Sequence, residues 1–195
     1  MRPAPPPGNL AQQSLPLQLF AAPVFRLWQN HHPSAFFWSK KGIYRFDSKS
    51  ARYGVLYTGG TLEGAALEVF GDQWVKRRVL SRVLLKKYRV SVMLPTRRLS
   101  LVDTTGSNLN KLSVDSSLFA SINYRLTRSW ARAFMEHPSN PEGIIYHSRK
   151  NPLLLNYAFF GTDEVQDSLV EQDALPLEDA PGLGDFLDHY DVLLV

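Results

Sequence analysis

Between Gly42 and Phe70 the sequence GIYRFDSKSARYGVLYTGGTLEGAALEVF places Arg45, Tyr57 and Glu68 within about thirty residues. An upstream VFRL segment adds Arg26, and a downstream GIIYHSR segment adds Ser148. Guanidinium groups match phosphate oxygens in a fork geometry that lysine cannot offer. A flat aromatic ring can stack on a cationic heterocycle. A carboxylate and a hydroxyl can hold a sugar and oppose positive charge that develops on it. Two guanidinium groups, one ring, one carboxylate and one hydroxyl suit an anionic dinucleotide better than a metal ion.

Other chemistries lack their marks. The chain has no GxGxxG after a strand, no GxxxxGK[ST], no HExxH and no GxSxG. Cysteine is absent, which removes disulfides, thiolate zinc sites and a cysteine nucleophile. His31-His32 are adjacent and point different ways on a regular element, so no metal site is expected. His147-Ser148 lack an orienting acid for nucleophilic catalysis.

At 195 residues, with 44% apolar and 21% charged residues, the chain fits one globular domain with extensions. No stretch approaches the roughly 18 consecutive apolar residues of a membrane span. Pro16 and Gln18 interrupt the N-terminal stretch that would otherwise resemble a secretion signal. A soluble, cytoplasmic protein is expected. The net charge of +4 conceals an asymmetry: no Lys or Arg follows Lys150, while ten Asp and Glu do. Residues 1–150 hold 22 basic and eight acidic groups, a formal +14. Such a body attracts anions.

Secondary structure has to bring these residues together. Residues 1–18, rich in Pro, Gln and Ser, read as a flexible arm. Strands are expected at 23–28, 43–46, 55–58, 88–94, 99–102, 143–146 and 153–160. Gly59-Gly60 makes a turn, and Thr61 caps a helix that ends at Gly71, with Leu62, Ala65, Ala66 and Val69 on its apolar face. Glu68 lies off that face. Residues 74–87 read as helical or irregular. DTTGSNLNKL reads as a turn into a short helix, and 123–136 as an amphipathic helix closed by His137-Pro138. The domain is expected over 19–162, with 163–195 an acidic extension packed on it and ending in a docked VLLV strand. Short strands with few βαβ units make the class α+β, compact mixed sheets with flanking helices, and argue against a Rossmann domain.

VFRL, IYRF, LYTGGTLEGAALEVF and GIIYHSR before an apolar strand with FFG occur in an order that resembles the RES domain family, over residues 20 to 162. The resemblance implies an ADP-ribosyltransferase-like fold. It also implies cleavage of NAD at the nicotinamide–ribose bond, with water, phosphate or a protein taking the ADP-ribose. NAD is then a substrate, and no cofactor is implied. Carried over by motif, Glu68, Arg26 and Ser148 are catalytic, while Arg26, Arg45, Tyr57 and Ser148 bind NAD. A bacterial toxin of a type II toxin–antitoxin pair is implied, with a cognate antitoxin as partner; assembly of identical copies is compatible with it. Leu27 departs from the family, where a tyrosine follows the first arginine in some members. Phe36, Phe37 or Trp38 could take that ring's place.

Each residue alone has a plainer reading: a surface ion pair for either arginine, a half-buried strand tyrosine, a solvated helix glutamate, a turn serine. The rival function is a nucleic-acid-binding basic module without catalysis. It rests on WVKRRVLSRVLLKKYR, where basic residues interleave with Trp74 and Tyr88, and predicts strongly salt-dependent binding. A fold kept only for protein interaction is a third reading. The acidic extension could also fold over the basic cleft and restrain activity.

Overall fold

The computed structural model describes residues 3–38, 41–50 and 52–195. In chain order, Leu17–Phe20 form β1, Val24–Gln29 β2, Val55–Gly59 β3 and Leu62–Arg77 α1. Val79–Leu80 form β4, Arg82–Leu85 α2, Tyr88–Pro95 β5 and Leu99–Asp103 β6. Three helices follow: α3 at Asn108–Lys111, α4 at Ser116–Ala120 and α5 at Tyr124–Met135. Gly143–His147 and Leu155–Phe160 are β7 and β8, Asp163–Asp167 is α6 and Leu169–Pro176 is β9. Leu183–His189 and Leu193–Leu194 complete the chain as α7 and β10.

Eight strands make one mixed sheet in the order β1-β6-β7-β8-β3-β2-β5-β9. Among the described residues only the β6–β7 pair of this sheet is parallel; its remaining pairs are antiparallel. Apolar residues run almost unbroken along β7 and β8 because both faces of the sheet are covered. Ile144, Tyr146, Ala158 and Phe160 pack toward Trp130 and Phe134 of α5. Their neighbours Ile145 and Phe159 pack on the opposite side with Phe20, Leu56 and Met93. A third cluster joins Ala66, Leu67 and Phe70 of α1 to Leu183, Phe186 and Leu187 of α7.

Helix α1 begins where Thr61 Oγ1 accepts the Gly64 N–H, a side-chain cap as expected. Gly59 is required by the close approach of this turn: a Cβ there would lie 2.3 Å from the Ala65 nitrogen. The helix does not stop at Gly71 but runs to Arg77. Gly71 serves proximity instead, since a Cβ there would meet Lys150 Cγ at 2.8 Å. Leu67 is buried and Val69 exposed, so the apolar face is rotated from the expected one. Asn123 caps α5 by accepting the Arg125 N–H, and Trp130, Ala131 and Phe134 are buried.

Two other expectations are corrected, and the docked strand expected at the end of the chain is present. Residues 43–46 form a turn, not a strand, because Asp47 accepts the N–H groups of Ile43 and Tyr44 and leaves them unable to pair in a ladder. The N-terminal segment lies against the body: Leu10 and Leu15 are core residues, and Ala4 O accepts from Trp130 Nε1. The VLLV ending pairs parallel with β4 in a separate two-stranded sheet. Within the acidic extension, β9 pairs with β5 from Arg89 to Pro95, and Val165, Leu169 and Leu177 are buried.

Because β9 completes the sheet, ending the chain at Gly161 exposes β5 and removes Leu177 from the third cluster. The truncated chain is expected to lose its cooperative thermal transition and its near-ultraviolet circular dichroism. A cooperative melt like that of the full chain would show the extension to be dispensable.

Candidate active site

Four of the five expected residues meet at one cleft of about 410 Å³, between α1, the start of α5 and the 30–46 segment. Arg26 comes from β2, Tyr57 from the middle of β3, Arg45 from the turn before it and Glu68 from α1. Ser148 is not among the lining residues. It is buried at the end of β7, where its Oγ accepts the Lys150 N–H and its own N–H donates to Leu154 O.

Arg26 is engaged with backbone. Its Nε donates to Ala35 O at 3.0 Å, Nη1 to Tyr57 O at 2.9 Å and Nη2 to Phe37 O at 3.0 Å. A guanidinium has five N–H donors, so two remain for a ligand. Burial lowers its pKa to about 10, which still leaves it charged at neutral pH. Its first effect is to fasten the 35–37 segment to β3.

Arg45 is different. The residue is buried, and Nη1 has no hydrogen-bond partner among the described residues. The guanidinium carbon lies 5.2 Å from the Tyr146 ring centre and 5.8 Å from that of Phe46. A buried donor without a partner carries a free-energy cost of about 1–3 kcal/mol, more for a charged group. An anion in the cleft would relieve it.

The Tyr57 hydroxyl is fully used. It donates to Asp47 Oδ1 at 2.9 Å and accepts the Phe46 N–H at 2.8 Å. Burial, then the Asp47 charge, pushes its pKa well above 10, so it stays a neutral phenol. Only its ring is left for a ligand. Tyr44 stands edge-on to that ring at 5.8 Å. Of the three aromatics considered for the position after Arg26, Phe37 lines the cleft, stacked on His32 at 3.9 Å. Phe36 and Trp38 pack elsewhere, against the cluster around Phe159.

Glu68 is exposed on α1, and its Oε1 accepts from Asn156 Nδ2 at 2.9 Å. Asn156 is fully buried, and its Oδ1 has no partner among the described residues. Gly64 makes room for this amide: a Cβ there would lie 2.7 Å from Asn156 Oδ1. Tyr146, whose buried hydroxyl stands beside the Asn156 amide on the neighbouring strand, completes the floor. Burial first, then Glu68, raises its pKa well above 10, against the pull of Arg45. The cleft therefore holds a cation and a carboxylate within electrostatic reach of one phenol.

Asn156, Tyr146, Asp47 and Arg149 were not picked out by residue type and spacing. Asn156 had a signal, as one polar residue inside the apolar run LLLNYAFF. Asp47 and Tyr146 had none, since their roles depend on what they touch. No residue of the acidic extension lines the cleft, which overturns the expectation that it folds over the site. It supports the walls from behind: Leu177 and Leu183 share a core cluster with Leu27 and Ala65, and Glu171 accepts from Ser91 Oγ, which accepts from Trp28 Nε1 at 2.8 Å. The basic stretch 74–89 is divided among α1, β4, α2 and β5. The Trp74 side chain lies outside the described residues, and Tyr88 packs edge-on to Phe70 at 5.0 Å. Among the described residues no group of three or more His, Asp or Glu could hold a metal ion.

The sequence model of the RES domain matches residues 23–179. The chain belongs to the RES domain family. No curated protein sequence matches it. Among solved structures, a chain of the crystal structure of the M. tuberculosis MbcT–MbcA toxin–antitoxin complex aligns with a TM-score of 0.59 at 12% identity. The alignment covers 82% of this chain and 85% of that one, and it shows a shared fold. The expected α+β class, mixed strands with flanking helices, therefore holds. The RES match runs into the acidic segment as far as Asp179, and so takes in β9.

Tyr57→Phe removes the donor to Asp47 and the acceptor of the Phe46 N–H, leaving buried groups unpaired. It is expected to destabilise this RES domain by about 1–3 kcal/mol in thermal or denaturant unfolding. In the wild type the unfolded phenol ionises near pH 10 and the folded one only above that. Stability is thus fully present below about pH 10 and falls as pH rises beyond it. The variant's alkaline loss should be shallower, and identical alkaline profiles would contradict a phenol held neutral by burial and the Asp47 charge.

Proposed function

We propose that this RES domain cleaves NAD at the nicotinamide–ribose bond and passes the ADP-ribose to water, phosphate or a protein. The observation that carries the reading is the buried guanidinium nitrogen of Arg45, without a partner among the described residues, in the same cleft as the Asn156-held carboxylate of Glu68. A cation without an acceptor fits a pyrophosphate, and a fixed carboxylate fits the ribose.

The C1′–N bond breaks with its electron pair going to nicotinamide, which departs as a neutral pyridine and needs no general acid. Positive charge develops on the ribose, as in glycoside cleavage. Glu68 stabilises that charge and orients the sugar hydroxyls, with Asn156 keeping the carboxylate in place. The acceptor oxygen then bonds to C1′ and its proton leaves to solvent. The Tyr57 ring stacks on the cationic nicotinamide, a contact of about 0.5–2 kcal/mol that weakens as the charge leaves the ring. Arg45, with the two remaining N–H groups of Arg26, binds the pyrophosphate.

Membership of the RES family, and a structural neighbour solved within a toxin–antitoxin complex, support a toxin acting in the cytoplasm with a protein antitoxin as partner. Among the described residues no helix is long and apolar enough to cross a membrane.

Nicotinamide release from NAD by the full chain, with and without phosphate, tests the reading. Glu68→Gln is expected to lower kcat by about 100-fold or more with an unchanged melting temperature. Turnover that survives this substitution would falsify the role of Glu68. A phosphate requirement would name the acceptor.

A further inference from the structure

The GIIYHSR segment delivers a different side chain to the cleft than its serine. Ser148 is 2% exposed, absent from the cleft wall, and occupied with the turn that follows β7. That turn is tight, since the Ser148 N–H also closes on Leu154 O and Leu154 N–H on Asn151 O. Its consequence is to project Arg149 into the cleft, where it lines the wall with a side chain only 17% exposed.

The hold on Arg149 is loose. Among the described residues its guanidinium makes no hydrogen bond, and its ionic contact is Asp72 Oδ2 at 3.6 Å. Asp72 is itself 75% exposed and is shared with Lys150, which binds its other oxygen. At 3.6 Å, and with its carboxylate largely in water, the pair is screened on that side and holds Arg149 weakly. Asp72 follows Glu68 by four residues on α1, so the two stand one above the other, about 6 Å apart along the axis. Arg149 therefore sits one helical turn from the carboxylate assigned to the ribose. In NAD the pyrophosphate hangs from C5′ of that ribose, at a comparable reach.

We infer that Arg149 is an anion-binding residue of the cleft that takes a pyrophosphate oxygen alongside Arg45, while Ser148 acts only by shaping the turn that presents it. The inference rests on the NAD reading for its ligand, though the anion site itself does not.

Two probes separate them in the full chain: inorganic pyrophosphate, read as a rise in melting temperature, and NAD, read as KM and kcat for nicotinamide release. Arg149→Ala is expected to abolish the pyrophosphate shift and to raise KM by about 10- to 100-fold. Its unliganded melting temperature should stay near that of the wild type, and its KM should depend less on salt. Arg149→Lys should recover only part of the affinity, because an ammonium lacks the fork. Wild-type turnover with an unchanged KM in Arg149→Ala overturns the inference and leaves the NAD reading standing. An Arg149-dependent pyrophosphate shift without NAD turnover upholds the anion site and removes the NAD reading. No shift and no turnover in the wild type overturns both.

Discussion

Three hydrogen bonds from one guanidinium hold the irregular part of this molecule in place. The described residues between β2 and β3 lie outside the sheet, and backbone without a ladder must find other partners. Arg26 meets that need for Ala35 and Phe37 on the loop and for Tyr57 on the strand. Asp47 does the same at the far end, taking the Ile43 and Tyr44 N–H groups and the Tyr57 hydroxyl. Tyr57 is the shared anchor, bonded through its carbonyl to one device and through its phenol to the other. With both ends fixed, the turn between them can hold Arg45 buried, with one of its nitrogens unpaired among the described residues.

The opposite wall follows another constraint, the close packing of α1 on the sheet. Glycines at 59 and 64 let the helix start come within contact of β3 and β8. Only then can Asn156, buried in the middle of the sheet, reach Glu68 on the helix surface. The carboxylate is exposed to ligand yet oriented from below, which is what a group must be to act on developing charge without reorganising. Helix α7 covers the other side of α1, so the acidic segment contributes to the site by support and not by contact.

Much of the fold was legible. Alternation and β-branched residues located most strands, and the Thr61 and Asn123 caps located the starts of two helices. The errors share a cause. Ile43–Phe46 looks like a strand by residue type, but Asp47 draws its amides into a turn, and a side-chain acceptor four residues on is invisible to a periodicity count. Gly71 looks like a helix stop, yet in this helix it makes space for Lys150, a residue nearly eighty positions away. The N-terminal arm is poor in apolar residues, but Leu10 and Leu15 suffice to dock it once Trp130 and His137 offer partners to its backbone.

By itself the sequence determined most of the central strands and the starts of α1 and α5, the absence of thiol chemistry, the asymmetry of charge, and the ordered set Arg26, Arg45, Tyr57 and Glu68. These rest on residue type and short-range spacing, which the chain carries in any conformation. Only the tertiary structure decided how each is used. Whether a guanidinium is free or satisfied, and whether a serine or its neighbour faces the cleft, depends on acceptors supplied by distant segments. Arg26 and Arg45 are the same residue type in similar local surroundings, and three carbonyls brought in by folding make one a tether and leave the other a cation with a nitrogen to spare.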